Sequence, residues 1–497
     1  MTVLIYDTLR SEKKAFVPLN PPQVRIYVCG PTVYDHAHLG HARCYVIYDV
    51  LVRHLRARGF EVKYVRNVTD VDDKIAARAR ELNEEPLRLA RRFEEAFQED
   101  MRRLGNLDPT VEPRVSEHIA DIIAWIEKLI ELGHAYVVDG DVYFHVPSFG
   151  EYGKLSKRPA QAIQAGASGR LREEEARKKR HSADFALWKA HPADEWGWPS
   201  PWGWGRPGWH IECSVMSAKH AGLPLDLHGG GLDLVFPHHE NEIAQSESLM
   251  KTELARHWMH NGFVEVNKEK MSKSLGNFFT IRELFGRYDP EVIRYAMLTV
   301  HYRSPLNFDV VVSEDGQLLG FPLLDESEKR VEYLYETRQR LQLIPASKLK
   351  ADGPIPQAIS QFPELLAQAL DNDLDFPLAL ARLNDFLKAT NDWADQTIRK
   401  GGNIATIESI EKGWACLVNE MGIGAKPPQE FLLGLRKKRA RARGISEEEV
   451  EARIQARTLA RQARDFATAD AIRAELMKLG IELMDGPQGT SWRIRPS

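Results

Sequence analysis

The sequence predicts an α/β protein: an open parallel sheet interrupted by an inserted connective segment, then an all-α bundle and a small C-terminal domain. Three observations carry this. Residues 24–29, 42–55 and 59–68 read as strand, helix and strand within about 45 residues, the βαβ unit from which parallel sheets are built. From about Ser313 onward strand signals almost vanish and helical periodicity takes over. From Arg436 to the end there are 14 Lys and Arg against 9 Asp and Glu, in a chain whose net charge is −4.

Composition narrows the function classes. At 497 residues the chain is too long for one core, and three or four domains are expected. No apolar run approaches the ~18 residues of a membrane span. The N-terminus, Met1 to Asp7, lacks the basic flank and apolar core of a signal peptide, so a cytoplasmic protein is expected. Its four cysteines, Cys29, Cys44, Cys213 and Cys416, are too few and too scattered for a disulfide framework, and read as thiols or metal ligands. The negative net charge leaves nucleic-acid binding to a local basic patch.

Taken in order, residues 24–29 form a buried strand that ends at Gly30-Pro31. The helix 42–55 has apolar residues at Val46, Ile47, Val50 and Leu51, and Gly59 turns the chain into the second strand. Ligands bind beyond the carboxyl ends of parallel strands, which places Cys29, Gly30, the loop to Ala42 and residues 69–74 at the site. Helical patterns follow at 81–104 and 116–132. Residues 147–201 are irregular and rich in charge, Gly and Trp, and the run 171–180 within them is a solvated surface segment. The parallel pattern resumes at 225–228, ahead of Gly229-Gly230-Gly231, and a strand-like stretch at 262–266 precedes a Lys/Ser-rich loop. Helices are expected at 363–370, 377–393 and 407–418, with a linker at 425–428. Ser446 with Glu449 three residues on opens a tail helix in capping-box style. The expected divisions are a first catalytic half at 1–115, an insertion at 116–198, a second half at 199–258, a contact region at 259–315, the bundle at 316–428 and a C-terminal domain at 429–497.

Four stretches carry chemistry. After Pro237, a residue suited to a first helical position, His238 and Glu242 stand four apart and share a face, which is half of a zinc site. Spacing alone leaves His239 as a rival to His238, and the same stretch also suits a plain helix start. In His38-Leu39-Gly40-His41 the glycine lets two imidazoles converge at a helix N-terminus, where free N–H groups already favour anions. Lys270-Met271-Ser272-Lys273-Ser274 is a flexible loop with two cations able to close on a polyphosphate, or simply a solvated basic turn. Arg436, Lys437 and Lys438 begin the basic tail, and Trp492 beside Arg493 reads as an exposed aromatic able to stack on an unpaired base.

The paired His-Leu-Gly-His and Lys-Met-Ser-Lys-Ser motifs resemble those of class I aminoacyl-tRNA synthetases, in particular the bacterial cysteinyl-tRNA synthetases. Residues 27–35, 67–74 and 208–214 extend that resemblance, as do the stretch around His238 and the final Asp-Gly-Pro-Gln-Gly-Thr-Ser-Trp-Arg. The resemblance implies a Rossmann-like nucleotide-binding catalytic domain, a contact region around the Lys-Met-Ser-Lys-Ser loop and a C-terminal anticodon-binding domain. It implies one Zn²⁺ held by Cys29, Cys213, His238 and Glu242, with Cys44 and Cys416 left as small core residues.

The implied substrates are ATP with Mg²⁺, L-cysteine and tRNA(Cys), handled by a monomer with no membrane partner. The zinc would bind the substrate thiolate and discriminate against serine, with no editing domain required. His38 and His41 would stabilise the reacting phosphate, and Lys270 and Lys273 the departing pyrophosphate, Lys273 more strongly. Thr32, Trp209 and His228 are implied for the cysteine pocket, and Gly30, Gly230 and Asp233 for ATP, Asp233 at its ribose. The nearest rival is a cysteine-activating ligase with a non-RNA acceptor such as an amino sugar, which would need neither the bundle nor the basic tail. A non-catalytic RNA-binding protein would not need His38, His41, Lys270 and Lys273 together.

Overall fold

The computed structural model describes residues 2–158, 177–267, 279–313, 315, 318–486 and 489–495, and the main chain of 269–270. A short hairpin, β1 (Leu4–Asp7) and β2 (Glu12–Ala15), leads into the central strand β3 (Gln23–Val28). Helix α1 (Leu39–Ala57) then crosses to β4 (Glu61–Arg66), which pairs with β3 in parallel. The alternation of β3 splits cleanly between two cores. Val24, Ile26 and Val28 join a cluster with α1, whereas Tyr27 and Cys29 face a second cluster on the other side. A strand covered on both faces must be apolar throughout, which is why this region reads as a buried run.

The expected helix at 81–104 is α3 (Pro86–Arg103), and a shorter helix the sequence reading does not place, α2 (Asp73–Leu82), precedes it. Asn83 takes the left-handed conformation that ends α2, and Pro86 opens α3 at a position where its missing N–H costs nothing. Helix α4 (Ile119–Glu131) opens the expected insertion, which is more ordered than its composition suggests. Strands β5 (Ala135–Val138), β6 (Asp141–Phe144), β7 (Phe185–Ala190) and β8 (Gly205–Pro207) form an antiparallel sheet that runs on to Pro207, past the expected boundary at 198. A register shift at Val142/Tyr143 and the Trp-rich loop between β7 and β8 mask the period-2 pattern. Most of the charged run 171–180 lies outside the described residues.

The chain returns through α5 (Trp209–His220) to β9 (Leu227–Gly231), α6 (Glu240–Met250), β10 (Trp258–Asn261) and β11 (Val264–Val266). The main sheet runs β10-β9-β3-β4, every pairing parallel. Connections leave β3 in one direction and return through β9 in the other, so a crevice opens where these two strands end.

The helices Phe362–Asp371, Phe376–Lys400 and Ile404–Met421 contain the three expected bundle helices. A further helix, Pro322–Gln342, was not foreseen, since charged residues dominate it and its apolar stripe is thin. The bundle shares one continuous core with α1 and its face of the sheet.

At the C-terminus the basic run lies on the helix Pro428–Ala442, which begins within the expected linker. Ser446 Oγ accepts the Glu449 N–H at 3.3 Å and caps the helix Glu447–Gln462. The expected turn with an exposed Trp is instead a hairpin, Ile481–Gly486 with Gly489–Ile494, and Trp492 is only 3% exposed within a small core of its own. Trp492 and Ile494 alternate inward while Arg493 points out, so the final residues read as loop only when that alternation is overlooked.

Candidate active site

Where β3 and β9 end, a cavity of about 320 Å³ opens. Cys29, Gly30, Thr32, His38, His41, Trp209 and Asp233 all line it, from segments up to about 200 residues apart. Gly30 has to be glycine, because a Cβ there would fall on the Asn67 carbonyl, while its N–H donates to Asn67 Oδ1 at 2.8 Å.

Cys29, Cys213, His238 and Glu242 converge at this end of the sheet, every one of them buried. Their donor atoms lie within 4.8 Å of one another, with the two sulfurs 3.7 Å apart, Cys29 Sγ 3.4 Å from Glu242 Oε1 and His238 Nε2 3.0 Å from the same oxygen. Two sulfurs about 2.3 Å from one tetrahedral zinc would stand roughly 3.8 Å apart, so the set fits that ion.

The donors polarise one another strongly. Burial keeps the proton on Cys29, raising its thiol well above the usual range. For Cys213 burial is outweighed by the hydrogen bond from Cys29 and by His238, and its thiol falls to about 6. Burial works against a charged His238, but Glu242 and Cys213 overcome it and lift the ring to about 9. Glu242, despite burial, is held well below the usual carboxylate range by His228 and His238.

The expected rivalry of His239 has a structural basis. His239 Nε2 stands 3.3 Å from Cys29 Sγ, and Cys29, His228, His239 and Glu242 form a second group within ligand range. Only the set with Cys213 offers two sulfurs, the softer choice that suits zinc. His239 is turned through Nδ1 to His260 Nε2 at 2.8 Å, and His260 continues to Thr8. His210 meets His238 at 3.0 Å through the Nδ1 atoms, and the Trp209 ring stacks on His238 at 4.3 Å.

Two expected substrate contacts are displaced. His228 is fully buried behind Glu242, 2.8 Å from Oε2, and braces that carboxylate rather than lining the cavity. Gly231, not Gly230, lines the wall, since Gly230 is turned inward to the Tyr48 hydroxyl, which accepts its N–H at 2.7 Å. Cys44, read as core, packs against the core and also lines the cavity. Tyr34 and Lys74 line it too, in the loop and the 69–74 segment expected at the site, and so do Asn261 to Val264, which no sequence signal singled out as contacts.

His38 caps α1: its Nδ1 accepts the Gly40 N–H at 3.0 Å, and His41 Nδ1 accepts the His38 N–H at 3.2 Å. The rings stack at 3.8 Å. Burial drops His41 to about 4, so it is neutral at physiological pH and carries its proton on Nε2. Leu39 N–H donates to Phe279 O and Ile281 N–H to Ala37 O, so the chain leaves the Lys-Met-Ser-Lys-Ser segment beside these histidines. Lys270 ends a short strand, Glu269–Lys270, on β11, and Lys273 lies outside the described residues.

Of the basic residues expected to meet tRNA, Lys437 is exposed. Lys438 Nζ donates to Phe285 O and Tyr288 O, and Arg436 sits over the Trp492 ring at 4.3 Å.

Among solved structures, the fold is similar to Mycobacterium tuberculosis methionyl-tRNA synthetase in complex with methionyl-adenylate (TM-score 0.59, 16% identity, 83% of this chain and 94% of that one). It is also similar to the Agrobacterium radiobacter K84 leucyl-tRNA synthetase ternary complex (TM-score 0.57, 11% identity, 84% and 86%). Residues 15–315 match the tRNA synthetases class I (C) catalytic domain, and residues 445–493 the cysteinyl-tRNA ligase anticodon binding domain. Fold and site thus define a class I aminoacyl-tRNA synthetase.

Relatives sharpen the assignment. The cysteine–tRNA ligase of Anaeromyxobacter dehalogenans strain 2CP-1 is 50% identical over 99% of this chain and all of its own length. The chloroplastic/mitochondrial cysteine–tRNA ligase of Arabidopsis thaliana is 45% identical over 98% of this chain and 86% of its own. The chain belongs to the cysteine–tRNA ligase family and is an aminoacyl-tRNA ligase.

Proposed function

We propose that Cys29, Cys213, His238 and Glu242 hold one zinc ion whose task is to select cysteine. The observation that carries this is the pair of buried sulfurs 3.7 Å apart, closed by His238 and Glu242, with Cys29 on the wall of the cavity that Thr32 and Trp209 also line. When bound, zinc supplies a Lewis acid that favours a thiolate over the hydroxyl of serine. Trp209, stacked on His238, both orients that imidazole and bounds the amino acid.

The substrates are ATP, accompanied by Mg²⁺, L-cysteine and tRNA(Cys). The cysteine carboxylate attacks the α-phosphorus of ATP and pyrophosphate leaves, after which the terminal ribose hydroxyl of tRNA accepts the cysteinyl group. His38 and His41, each accepting a main-chain N–H at Nδ1, direct Nε2–H toward the phosphate oxygens and stabilise the charge gained there. Lys270 and Lys273 hold the departing pyrophosphate, and Asp233 accepts a hydrogen bond from the ribose. Asp233 packs against Gly231, where a Cβ would collide with its carboxylate, so that glycine opens room for it.

Selection against serine of about 10⁴-fold needs roughly 5.5 kcal/mol, more than the ~1–3 kcal/mol an apolar pocket supplies for a small difference. The test pairs elemental analysis with ATP–pyrophosphate exchange driven by cysteine or serine. Wild-type protein should carry one zinc, Cys213→Ser should lose most of it, and metal-stripped enzyme should lose its preference for cysteine. Unchanged selectivity in stripped enzyme would sink the proposal.

A further inference from the structure

Arg43 is a buried charge that the chemistry above leaves unused. It lies on α1 two residues beyond His41, and its side chain is fully enclosed. Among the described residues it meets main-chain carbonyls rather than a carboxylate. Nε reaches Gly262 O at 3.2 Å, Nη1 reaches Met297 O at 3.5 Å, and Nη2 reaches the oxygens of His301, Tyr302 and Ser304 at 3.3, 3.4 and 2.5 Å. Burial lowers its pKa to about 10, which still leaves it charged at neutral pH. Enclosing an unpaired cation is expensive, and carbonyl dipoles offset that cost only while they stay converged on it. Guanidinium and carbonyls therefore fix each other's positions.

One of those carbonyls belongs to the cavity wall. Asn261 to Val264 line the cavity beyond β10, and β9 separates β10 from β3, so this wall stands across from Cys29 at about two strand spacings, roughly 10 Å. Gly262 is pressed against the turn that supplies the other oxygens. Its N–H donates to Tyr302 O at 2.8 Å, and a Cβ on it would lie 2.5 Å from Ser304 O and 2.8 Å from Arg303 O. Wall and turn move as one piece, held from the helix that carries the two histidines.

We propose that Arg43 is a positioning residue for ATP: by gripping Gly262 and Ser304 from α1, it sets the distance between the wall that receives the adenosine end and the histidines that receive the phosphates. This rests on the reading that ATP occupies this cavity with its phosphates at His38 and His41. The adenosine end follows by elimination, since Cys29, Thr32 and Trp209 take the amino acid and the histidines take phosphate. Of the remaining lining, Asn261 pairs with Gly231 across the ends of β10 and β9, which puts Asn261 to Val264 beside Asp233, the proposed ribose contact, and makes this the side for the nucleoside.

Arg43→Lys keeps the charge but replaces a planar fork with a single ammonium. In ATP–pyrophosphate exchange it should raise KM for ATP about tenfold, or ~1.4 kcal/mol. KM for cysteine and for pyrophosphate should stay within about twofold. Gly262→Ala, which pushes the wall off the turn with Arg43 still present, should give the same split, and it stands in if Arg43→Lys does not fold. A lowered Tm with KM for ATP unchanged, or ATP and cysteine constants rising together, would overturn the proposal. His41→Asn in the same assay separates the two layers. Exchange surviving at the wild-type rate would mean the ATP reading itself is wrong, whereas its loss with KM for ATP unmoved in the other variants would reject Arg43 alone.

Discussion

His41 shows how burial can decide what an imidazole does. Its pKa of about 4 and the main-chain N–H accepted at Nδ1 leave a neutral ring that donates through Nε2. On the reading proposed above, the ring then offers phosphate a hydrogen bond rather than a positive charge. His41→Asn should lower kcat for ATP–pyrophosphate exchange by ~10²–10³, the scale of losing one preorganised donor. Because the neutral ring is the working form above its lowered pKa, that loss should be equal at about pH 6 and about pH 8. A cationic His41 of ordinary pKa would instead lose its advantage above about 6.5, so a deficit that shrank with rising pH would reject this account. Gly30 is constrained just as locally. Gly30→Ala drives a Cβ into the Asn67 carbonyl at a cost of about 1–3 kcal/mol, shifts the neighbouring Cys29, and should appear as reduced zinc content in elemental analysis.

At the scale of elements, the C-terminal hairpin buries the aromatic expected to stack on tRNA. Trp492 fills a small core with Val450, Ile454 and Ile472, and its Nε1 donates to Glu451 at 2.7 Å. Trp492→Phe should therefore keep KM for tRNA within about twofold, whereas Trp492→Ala should destabilise this domain by ~3–5 kcal/mol, read as an early unfolding transition. Lys437, exposed on the helix Pro428–Ala442, is the better candidate for phosphate. Lys437→Glu should raise KM for tRNA, more so at low salt, and leave exchange untouched. The same contrast explains what the sequence could show. The strand around Ile26 and the helix around Val46 announce themselves because each buries a long apolar stripe. The helix Pro322–Gln342 hides because few of its positions face inward, and β7 hides behind a register shift. His238 and Glu242 share a face at a spacing visible in one helix, but Cys29 and Cys213 reach them from strands and helices brought near only by folding. The choice between His238 and His239 escapes spacing altogether, because both rings come within reach of the same cluster.

For the whole molecule, the decisive fact is that catalytic half and bundle share one core, with a charged knot at its edge. His54 on α1 is fully buried, with Nδ1 2.8 Å from Glu420 and Nε2 2.9 Å from Asp371, carboxylates on two different bundle helices. Arg58, one turn further along α1, lies 3.7 Å from Asp371 and 3.6 Å from Glu420. Burial raises the thiol pKa of the half-buried Cys416, and the nearby Glu420 charge adds to the rise. Burial works to strip the proton from His54, but Asp371 and Glu420 outweigh it and raise the ring above its ordinary value. The sign follows from linkage: a His whose pKa is higher folded than unfolded adds stability in full below its unfolded value of about 6.5, and that stability is lost as pH climbs through the raised folded value. Removing the ring should thus matter most in mild acid. The stability gap between wild type and His54→Gln, from urea unfolding midpoints, should be widest at about pH 6 and narrow steadily toward about pH 9. Exchange activity at low urea should stay close to wild type, because His54 faces the bundle and lies outside the cavity lining. A gap that stayed constant across that range would show that His54 holds the two halves together as a neutral ring.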